Sequence, residues 1–325
     1  MGAATELMVV DGVGSKVEIV EKAEIKEEWF GRFISYLDAS PTTVKAYKYE
    51  LIHFAKYLTD TKKPTPTRED IIGYRECLKT KYKPATTIFR LGVVKLFFRW
   101  LASENLYKNI ADHIKGVRTD KGHKRDYLTS VQVKSVLDKI DRSTVIGKRN
   151  YAIIALSATC GLRTIELARA NVEDLRNIGD MEVLYLQGKG RNEKTEYAKI
   201  GEKVSMAIRE YLSDIPSDVK AESPLFMVFS DGNKGKRLAT RSLRKIIKQA
   251  YKDAGLNSDR FTSHSLRHTA ITLSLAGGAT LQEAQQFARH GNINTTMIYS
   301  HNLELQKNRC SGITEKAIFA NEPSQ

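Results

Sequence analysis

Cysteine is scarce in this chain: three in 325 residues, Cys77, Cys160 and Cys310, far apart and without a CxxC pair. A disulfide scaffold and a zinc ribbon are both disfavoured, and a reducing, cytoplasmic location is expected. No apolar run reaches the roughly 18 residues that a membrane helix needs, so no membrane partner is expected. The N-terminus lacks a basic-then-apolar signal pattern, which argues against secretion. Internal repeats and low-complexity tracts are absent too, as is any His, Asp or Cys pattern of metal-ligand spacing. Neither a metal nor a cofactor is expected. What the chain has in excess is positive charge, with 52 Lys plus Arg against 38 Asp plus Glu and a net of +14. Such a balance points to a polyanionic partner, nucleic acid first, rather than to an acidic small-molecule site alone. With 41% apolar residues the chain has enough to bury a core, and its length suits two domains.

The distribution of charge says more than its sum. Residues 1–25 carry 2 basic and 5 acidic side chains, residues 26–127 carry 21 and 12, and residues 128–325 carry 29 and 21. Two basic segments suit a clamp that grips a duplex from two sides through its phosphates. Periodicity divides the chain in a similar way. Residues 1–24 show no sustained period and read as a tail or short extension. Residues 25–114 read as a small all-helical domain. Ser40 caps and Pro41 opens a helix in which Val44, Tyr47, Leu51, Phe54 and Leu58 recur at spacings of three and four. The segment Thr61 to Pro66 breaks it, and Thr67 caps a second helix to about Lys79. A third helix runs from about Ala85 to Ser103 with Ile88, Leu91, Val94, Phe98 and Leu101 on one face. Lys45 and Lys48 lie off the first stripe, and Arg90, Lys95 and Arg99 lie along the third helix. All five are candidate DNA contacts.

Residues 115–127, KGVRTDKGHKRDY, are polar and basic and read as an interdomain linker, with Lys121, Lys124 and Arg125 as candidate contacts to a DNA backbone. The second domain, 128–325, opens on a helix capped by Thr129 and stays helical until Met181. There MEVLYLQ and KTEYAKI flank GKGRN as a β-hairpin, and LFMVFS at 225–230 is a candidate third strand. The remainder is helical and carries Arg241 and Arg244 as further candidate DNA contacts. The expected fold is mainly α with a small antiparallel sheet, in two domains.

Four segments of the second domain gain meaning when read together. ATCGLRTIEL at 158–167 ends one helix at Gly161, places Arg163 in the turn and starts another helix. GKGRNEK carries Lys189 in the hairpin turn. SHSLRHT at 263–269 sets His264 and Arg267 on one helical face. ARHGNINTTMIYSH at 288–301 carries His290 and Tyr299. Each alone has an ordinary explanation: a surface ion pair, a solvated lysine, a chance His–Arg pair, a half-buried tyrosine.

As a set they resemble the tyrosine recombinases, the phage-integrase-type or Xer-like enzymes. The order and spacing match, with 26 residues from Arg163 to Lys189, 26 from His264 to His290 and 9 from His290 to Tyr299. TTVKAYKYELIHFAKYL and GVVKLFFRWL look like helices of the family's core-binding domain, so the resemblance covers all but the first residues of the chain. It implies a C-shaped two-domain DNA clamp, a helical core-binding domain plus an α+β catalytic domain, acting on double-stranded DNA with a specific core site. It also implies a homo-tetrameric synapse, with possible accessory proteins. In that family the tyrosine, here Tyr299, attacks the scissile phosphate to give a 3′-phosphotyrosine and a free 5′-hydroxyl, without metal or ATP. Arg163 and Arg267 would brace the phosphate oxygens, and His290 would donate to another. His264 would serve as acid–base partner and Lys189 as general acid to the leaving oxygen. Glu166 completes the family's RxxEL pattern and would orient Arg163.

The chain departs from the family's pattern in places. Ala288-Arg289 stands where Leu-Gly is usual, and Cys160 stands for the more frequent Thr. His268 and His301 read as bystanders. Residues from about 302 to 325 read as an exchange tail. In it LELQKN extends the tyrosine helix, Gly312 breaks it, and Ile313, Ala317 and Phe319 supply apolar contacts for docking on a neighbouring subunit. Residues 1–24 are too few for the arm-binding domain of many phage integrases, which favours a simple Xer-like or transposon-type recombinase. Two alternatives stay open: a type IB topoisomerase-like nicking and resealing enzyme, and a DNA-binding relative without the chemistry.

Overall fold

Four apolar stripes at helical spacing build the first part of the chain. In a computed structural model, which describes residues 24–118, 126–188, 193–216 and 218–319, these become α1 (Glu27–Tyr36), α2 (Pro41–Asp60), α3 (Arg68–Lys81) and α4 (Pro84–Ser103). The chain divides into two compact units, one through Lys121 and one from Gly122. Ser40 Oγ accepts from the Thr43 amide at 3.3 Å, and Pro41 takes the first helical position of α2. Thr67 and Asp70 form a reciprocal cap on α3, the Thr67 amide donating to Asp70 Oδ2 at 2.8 Å. The central helix is α4. Its Leu91, Val93, Val94, Phe97, Phe98, Trp100 and Leu101 are buried in one cluster with Trp29 and Phe33 of α1, Leu51, Phe54 and Leu58 of α2, and Ile71, Tyr74 and Leu78 of α3. Each large side chain buried in this way contributes roughly 1.5–3 kcal/mol. Of the stripe read on the third predicted helix, only Ile88 stays exposed.

Because α4 is enclosed on more than one face, two of its cations are not where the sequence suggested. Arg90 is buried, its Nε lying 3.0 Å from Glu50 Oε2 of α2 and its guanidinium 4.0 Å above the Tyr82 ring. Lys95 is half-buried and donates to the Ile114 carbonyl. Both are therefore structural cations of the core rather than surface contacts. Lys45, Lys48 and Arg99 are exposed, while Lys121, Lys124 and Arg125 lie outside the described residues. Glu50→Ala strands the Arg90 charge in an apolar cluster, with an expected loss of about 3–5 kcal/mol. Urea denaturation of the full chain should show this as an earlier first transition, with Glu50→Gln falling in between.

The second unit contains α5 (Ser130–Asp138), α6 (Val145–Cys160), α7 (Thr164–Arg169), a 3-10 turn (Val172–Asp174), β1 (Leu175–Ile178), β2 (Met181–Leu186), β3 (Glu196–Lys199), α8 (Glu202–Leu212), α9 (Thr240–Asp253), α10 (Ser263–Ala276), α11 (Leu281–Ala288), α12 (Asn294–Lys307) and α13 (Cys310–Ile318). Thr129 and Gln132 cap α5 reciprocally, as the sequence suggests. α6 lies in the middle, its Ile153 and Leu156 packed with Leu184 and Leu186 of the sheet and Ile208 of α8. The sheet is antiparallel in the order β1-β2-β3, and the β2–β3 pairing runs from Val183 opposite Lys199 to Leu186 opposite Glu196. The predicted hairpin strands are thus present, and its turn, residues 189–192 with Lys189, lies outside the described residues.

Two expectations need correction. The third strand is not 225–230 but β1, joined to β2 by Gly179-Asp180, with Gly179 at φ +58° in the left-handed region. Residues 225–230 contribute only an isolated bridge of Met227 with Arg237, next to one of Pro224 with Asn171. Their apolar run reflects burial rather than pairing: Leu225, Phe226 and Met227 fill the core, and Arg149 Nη1 holds the Met227 carbonyl at 2.7 Å. At the C-terminal end the break falls before Gly312. α12 stops at Lys307, Asn308 accepts from the Cys310 amide at 2.8 Å, and Gly312 sits inside α13. No side chain of α13 is buried, and Ile313, Ile318 and the adjoining Phe319 are 61%, 67% and 52% exposed. Arg241 and Arg244 are exposed on α9. No helix among the described residues is long and apolar enough to cross a membrane.

Candidate active site

The site begins where α6 stops. Gly161 caps the helix at φ +58°, and a Cβ there would stand 3.3 Å from the Phe287 ring of α11, so glycine meets both a conformational and a packing need. The chain turns directly into α7, whose N-cap is Arg163. Glu166, one turn in, has its carboxylate fully buried. It accepts from the Arg163 amide at 2.8 Å and from Arg163 Nη1 at 2.7 Å. One carboxylate thus caps the helix and aims the guanidinium, whose side chain remains 27% exposed.

Arg267 enters from α10, whose start is fixed by the Thr262 amide donating to Ser265 Oγ at 3.0 Å. Its guanidinium is buried, with Nη1 donating to the Gly161 carbonyl at 2.6 Å and Nη2 to the Ala288 carbonyl. These bonds tie the end of α6 to the end of α11. Beyond α11, His290 faces back through Nδ1, 2.9 Å from Thr296 Oγ1, while its carbonyl accepts from Gln285 Nε2 at 3.0 Å. Tyr299 of α12 is buried against Ile271 and Ala288, with its ring centroid 6.3 Å from that of His290 at 26°. Arg163, Glu166, Arg267, His290 and Tyr299 therefore converge. His264 is exposed on α10, one turn before Arg267, and His301 is exposed on α12.

Two participants escaped the sequence reading. His268 packs its ring 5.0 Å from that of Tyr299, so it is a neighbour of the phenol rather than a bystander. Arg289 is the larger surprise. It occupies the left-handed C-cap of α11 at φ +53°, and its buried side chain reaches Glu166 Oε2 and the Gly161 carbonyl, both at 3.2 Å. The signal was the departure from Leu-Gly before His290: a glycine position of the family pattern filled by a long cation.

The electrostatics follow from three guanidiniums around one buried carboxylate. Burial alone would raise the Glu166 carboxyl, but the charge of Arg289 and the bonds from Arg163 outweigh it and hold the group below its ordinary range. Burial, then the charges of Arg163 and Arg289, push Arg267 down to about 10, so it is still a cation at neutral pH. His290 is pushed down to about 4 by burial and by Arg267, Arg163 and Arg289, which leaves it neutral at pH 7. The Tyr299 phenol is raised by burial, against the opposing pull of Arg267 and Arg163, and is protonated at neutral pH. Among the described residues no group of three or more His, Cys, Asp or Glu side chains could hold a metal ion. The arrangement can cradle a tetrahedral anion beside a buried hydroxyl.

Comparison with known proteins agrees with this geometry. The phage integrase family model matches residues 126–306, and the phage integrase N-terminal SAM-like domain matches residues 28–105. Tyrosine recombinase XerC of Caldanaerobacter subterraneus is 28% identical over 314 residues, covering 88% of this chain and 85% of that protein. Tyrosine recombinase XerD of Oceanobacillus iheyensis is 29% identical over 273 residues, covering 81% and 88%. Among solved structures, XerH site-specific recombinase bound to a palindromic difH substrate superposes with a TM-score of 0.70 at 19% identity, covering 86% of this chain and 81% of that one. The Tn1549 transposon integrase in complex with transposon right end DNA gives 0.65 at 18%, covering 86% and 98%. These two likenesses speak for the fold, and the family match for kinship: the chain belongs to the phage integrase family, the site-specific tyrosine recombinases.

Proposed function

We propose that this protein cleaves and rejoins double-stranded DNA at a specific core site through a covalent 3′-phosphotyrosine on Tyr299, and exchanges strands by way of a Holliday junction. The observation that carries the reading is the convergence of two oriented guanidiniums and a neutral imidazole on a buried tyrosine. Tyr299 Oη bonds to phosphorus as the bond to the 5′-oxygen breaks. The phenol is protonated in the resting site, so its proton leaves as the new bond forms, with His264 as the acceptor. Lys189 delivers a proton to the departing 5′-oxygen. Arg163 and Arg267 match the equatorial oxygens with paired donors as negative charge grows there. His290 Nδ1 faces the Thr296 hydroxyl, which leaves Nε2 for the phosphate, and the tautomer protonated at Nε2 donates to a phosphate oxygen. The attack of a partner strand's 5′-hydroxyl on the phosphotyrosine reverses these steps and needs neither ATP nor metal, because the arginines supply the charge.

Exposed Lys45, Lys48, Arg99, Arg241 and Arg244 are assigned to the DNA backbone, together with Lys121, Lys124 and Arg125. Strand exchange between two duplexes calls for four subunits, and the unburied apolar side chains of α13 favour docking on a neighbouring subunit in that assembly. The biological task is integration and excision of a mobile element, or Xer-type resolution, with accessory proteins where the site demands them. The test is adduct trapping. Protein and fragmented genomic or element DNA are mixed in EDTA and denatured in detergent, and the protein-linked fragments are sequenced. Adducts through Tyr299 to one defined 3′-phosphate are expected. Cleavage scattered over unrelated sequences would instead indicate topoisomerase-like chemistry, and tight binding with no adduct, even with paired sites supplied, a DNA-binding relative.

A further inference from the structure

Arg289 stands where the family pattern usually has glycine, and its setting is built rather than incidental. A non-glycine residue at φ +53° is uncommon, and an arginine gains nothing there from its backbone. Its side chain is 5% exposed, so it stands behind the site rather than at its mouth. Nη1 donates to the Phe287 carbonyl at 2.8 Å, and Nη2 reaches both Gly161 and Glu166. Its own carbonyl accepts from Arg163 Nη2 at 3.3 Å. The residue thus touches the end of α6, the carboxylate that aims Arg163, and Arg163 itself.

We propose that Arg289 is a positioning residue of the strand-transfer site, which fixes Glu166 so that Arg163 presents its guanidinium in one orientation. Its charge also adds to burial, Arg267 and Arg163 in holding His290 below its ordinary value. The inference rests on the reading of Tyr299 as nucleophile for its kinetic consequence, but not for its electrostatic one. Glu166 Oε1 accepts from Arg163 Nη1, and Oε2 accepts from both the Arg163 amide and Arg289 Nη2, so both arginines hold the carboxylate. With Arg289 gone, the carboxylate keeps only the partner it is meant to orient. The groups that face His290 are Arg267 of α10, Arg163 at the start of α7, Tyr299 of α12 and Arg289 beside it, while Glu196 and Tyr197 of β3 line the same cleft. Of the three arginines, Arg289 is the one with no assigned reacting role.

The experiment compares wild type, Arg289→Gly and Arg289→Lys as full-length proteins. Glycine suits the left-handed backbone and offsets part of the cost of removing a partner of Glu166, so Arg289→Gly should stay folded and melt above Glu166→Gln. Its affinity for DNA carrying the core site should stay within about twofold, since the side chain is buried, while adduct formation on bound DNA slows about ten- to a hundredfold through misplacement of Arg163. Arg289→Lys keeps the charge but not the planar fork, and recovers only part of the rate. Independently, NMR titration of His290 without DNA should move to higher pH in Arg289→Gly and stay near wild type in Arg289→Lys. Wild-type cleavage rates in Arg289→Gly, a rate loss that merely tracks a lower melting temperature, or an unmoved His290 titration would each overturn the proposal. Should wild type itself form no adduct, the nucleophile reading fails, and the His290 titration still decides the role of Arg289.

Discussion

Tyr299→Phe binds core-site DNA with unchanged affinity and forms no covalent adduct. The substitution removes a single oxygen from a ring that is held by its packing on Ile271, Ala288 and His268, and those contacts remain. Stability should therefore change by no more than about 1 kcal/mol. Arg163 and Arg267, the groups proposed to brace the phosphate, are held by Glu166 and by backbone carbonyls, and these bonds remain, so affinity is expected to hold. What disappears is the atom proposed to bond to phosphorus, and adduct formation should drop by at least about four orders of magnitude. Detergent-resistant protein–DNA complexes on denaturing gels, run beside a gel-shift assay on the same samples, measure both quantities. Equal adduct yields from both proteins would remove Tyr299 from the chemistry.

The second large effect is on stability. Glu166→Gln keeps the shape of the side chain and its place behind Arg163, but it withdraws the carboxylate shared by Arg163 and Arg289. The three guanidiniums then repel one another in a buried setting with nothing to neutralise them. Removing one partner from such a network costs about 3–5 kcal/mol, on the order of 10 °C in melting temperature for a unit of this size. The penalty has a defined pH dependence. The Glu166 carboxyl sits below its ordinary value in the folded protein, so its contribution is fully present above the unfolded value, near 4.5, and is lost as pH falls through the folded one. The difference between wild type and Glu166→Gln should thus be constant from pH 6 to 8 and close as the solution is acidified below about 4. Thermal melts across that range test it, and a gap that widens on acidification would contradict the assignment.

How far the sequence carried depends on the kind of signal. Where local chemistry decides, it was sufficient: Ser40-Pro41, Thr67 and Thr129 cap the helices they were expected to cap, because a cap needs only residues within one turn. The β2–β3 pairing was legible in its alternation around GKGRN. β1 was not, because LRNI is mostly exposed and its only mark is the Gly179-Asp180 turn. Arg90 and Arg99 look alike in sequence, and only the packing of α2 on α4 buries the first beside Glu50 and leaves the second outside. In the site, the residues that come together, Arg163, Glu166, Arg267, His290 and Tyr299, were legible from motif spacing. The roles of Arg289 and His268 were not, since both depend on where α11 and α12 lie against α6 and α10.

The two arginine bonds that stitch α6 to α11 end on the Gly161 and Ala288 carbonyls. Carbonyls are neutral acceptors. They fix Arg267 in place without cancelling its charge, so the catalytic centre is electrically in deficit by design, with Glu166 answering for only part of the cationic load. A tetrahedral anion bound there would thus serve the fold as well as the proposed reaction. Phosphate or sulfate in a storage buffer is expected to stand in for the proposed scissile group, and each decade of such an anion above its dissociation constant would add about 1.4 kcal/mol to the folded state. The same ions should then compete with DNA, so buffer choice would trade shelf life against occupancy by substrate.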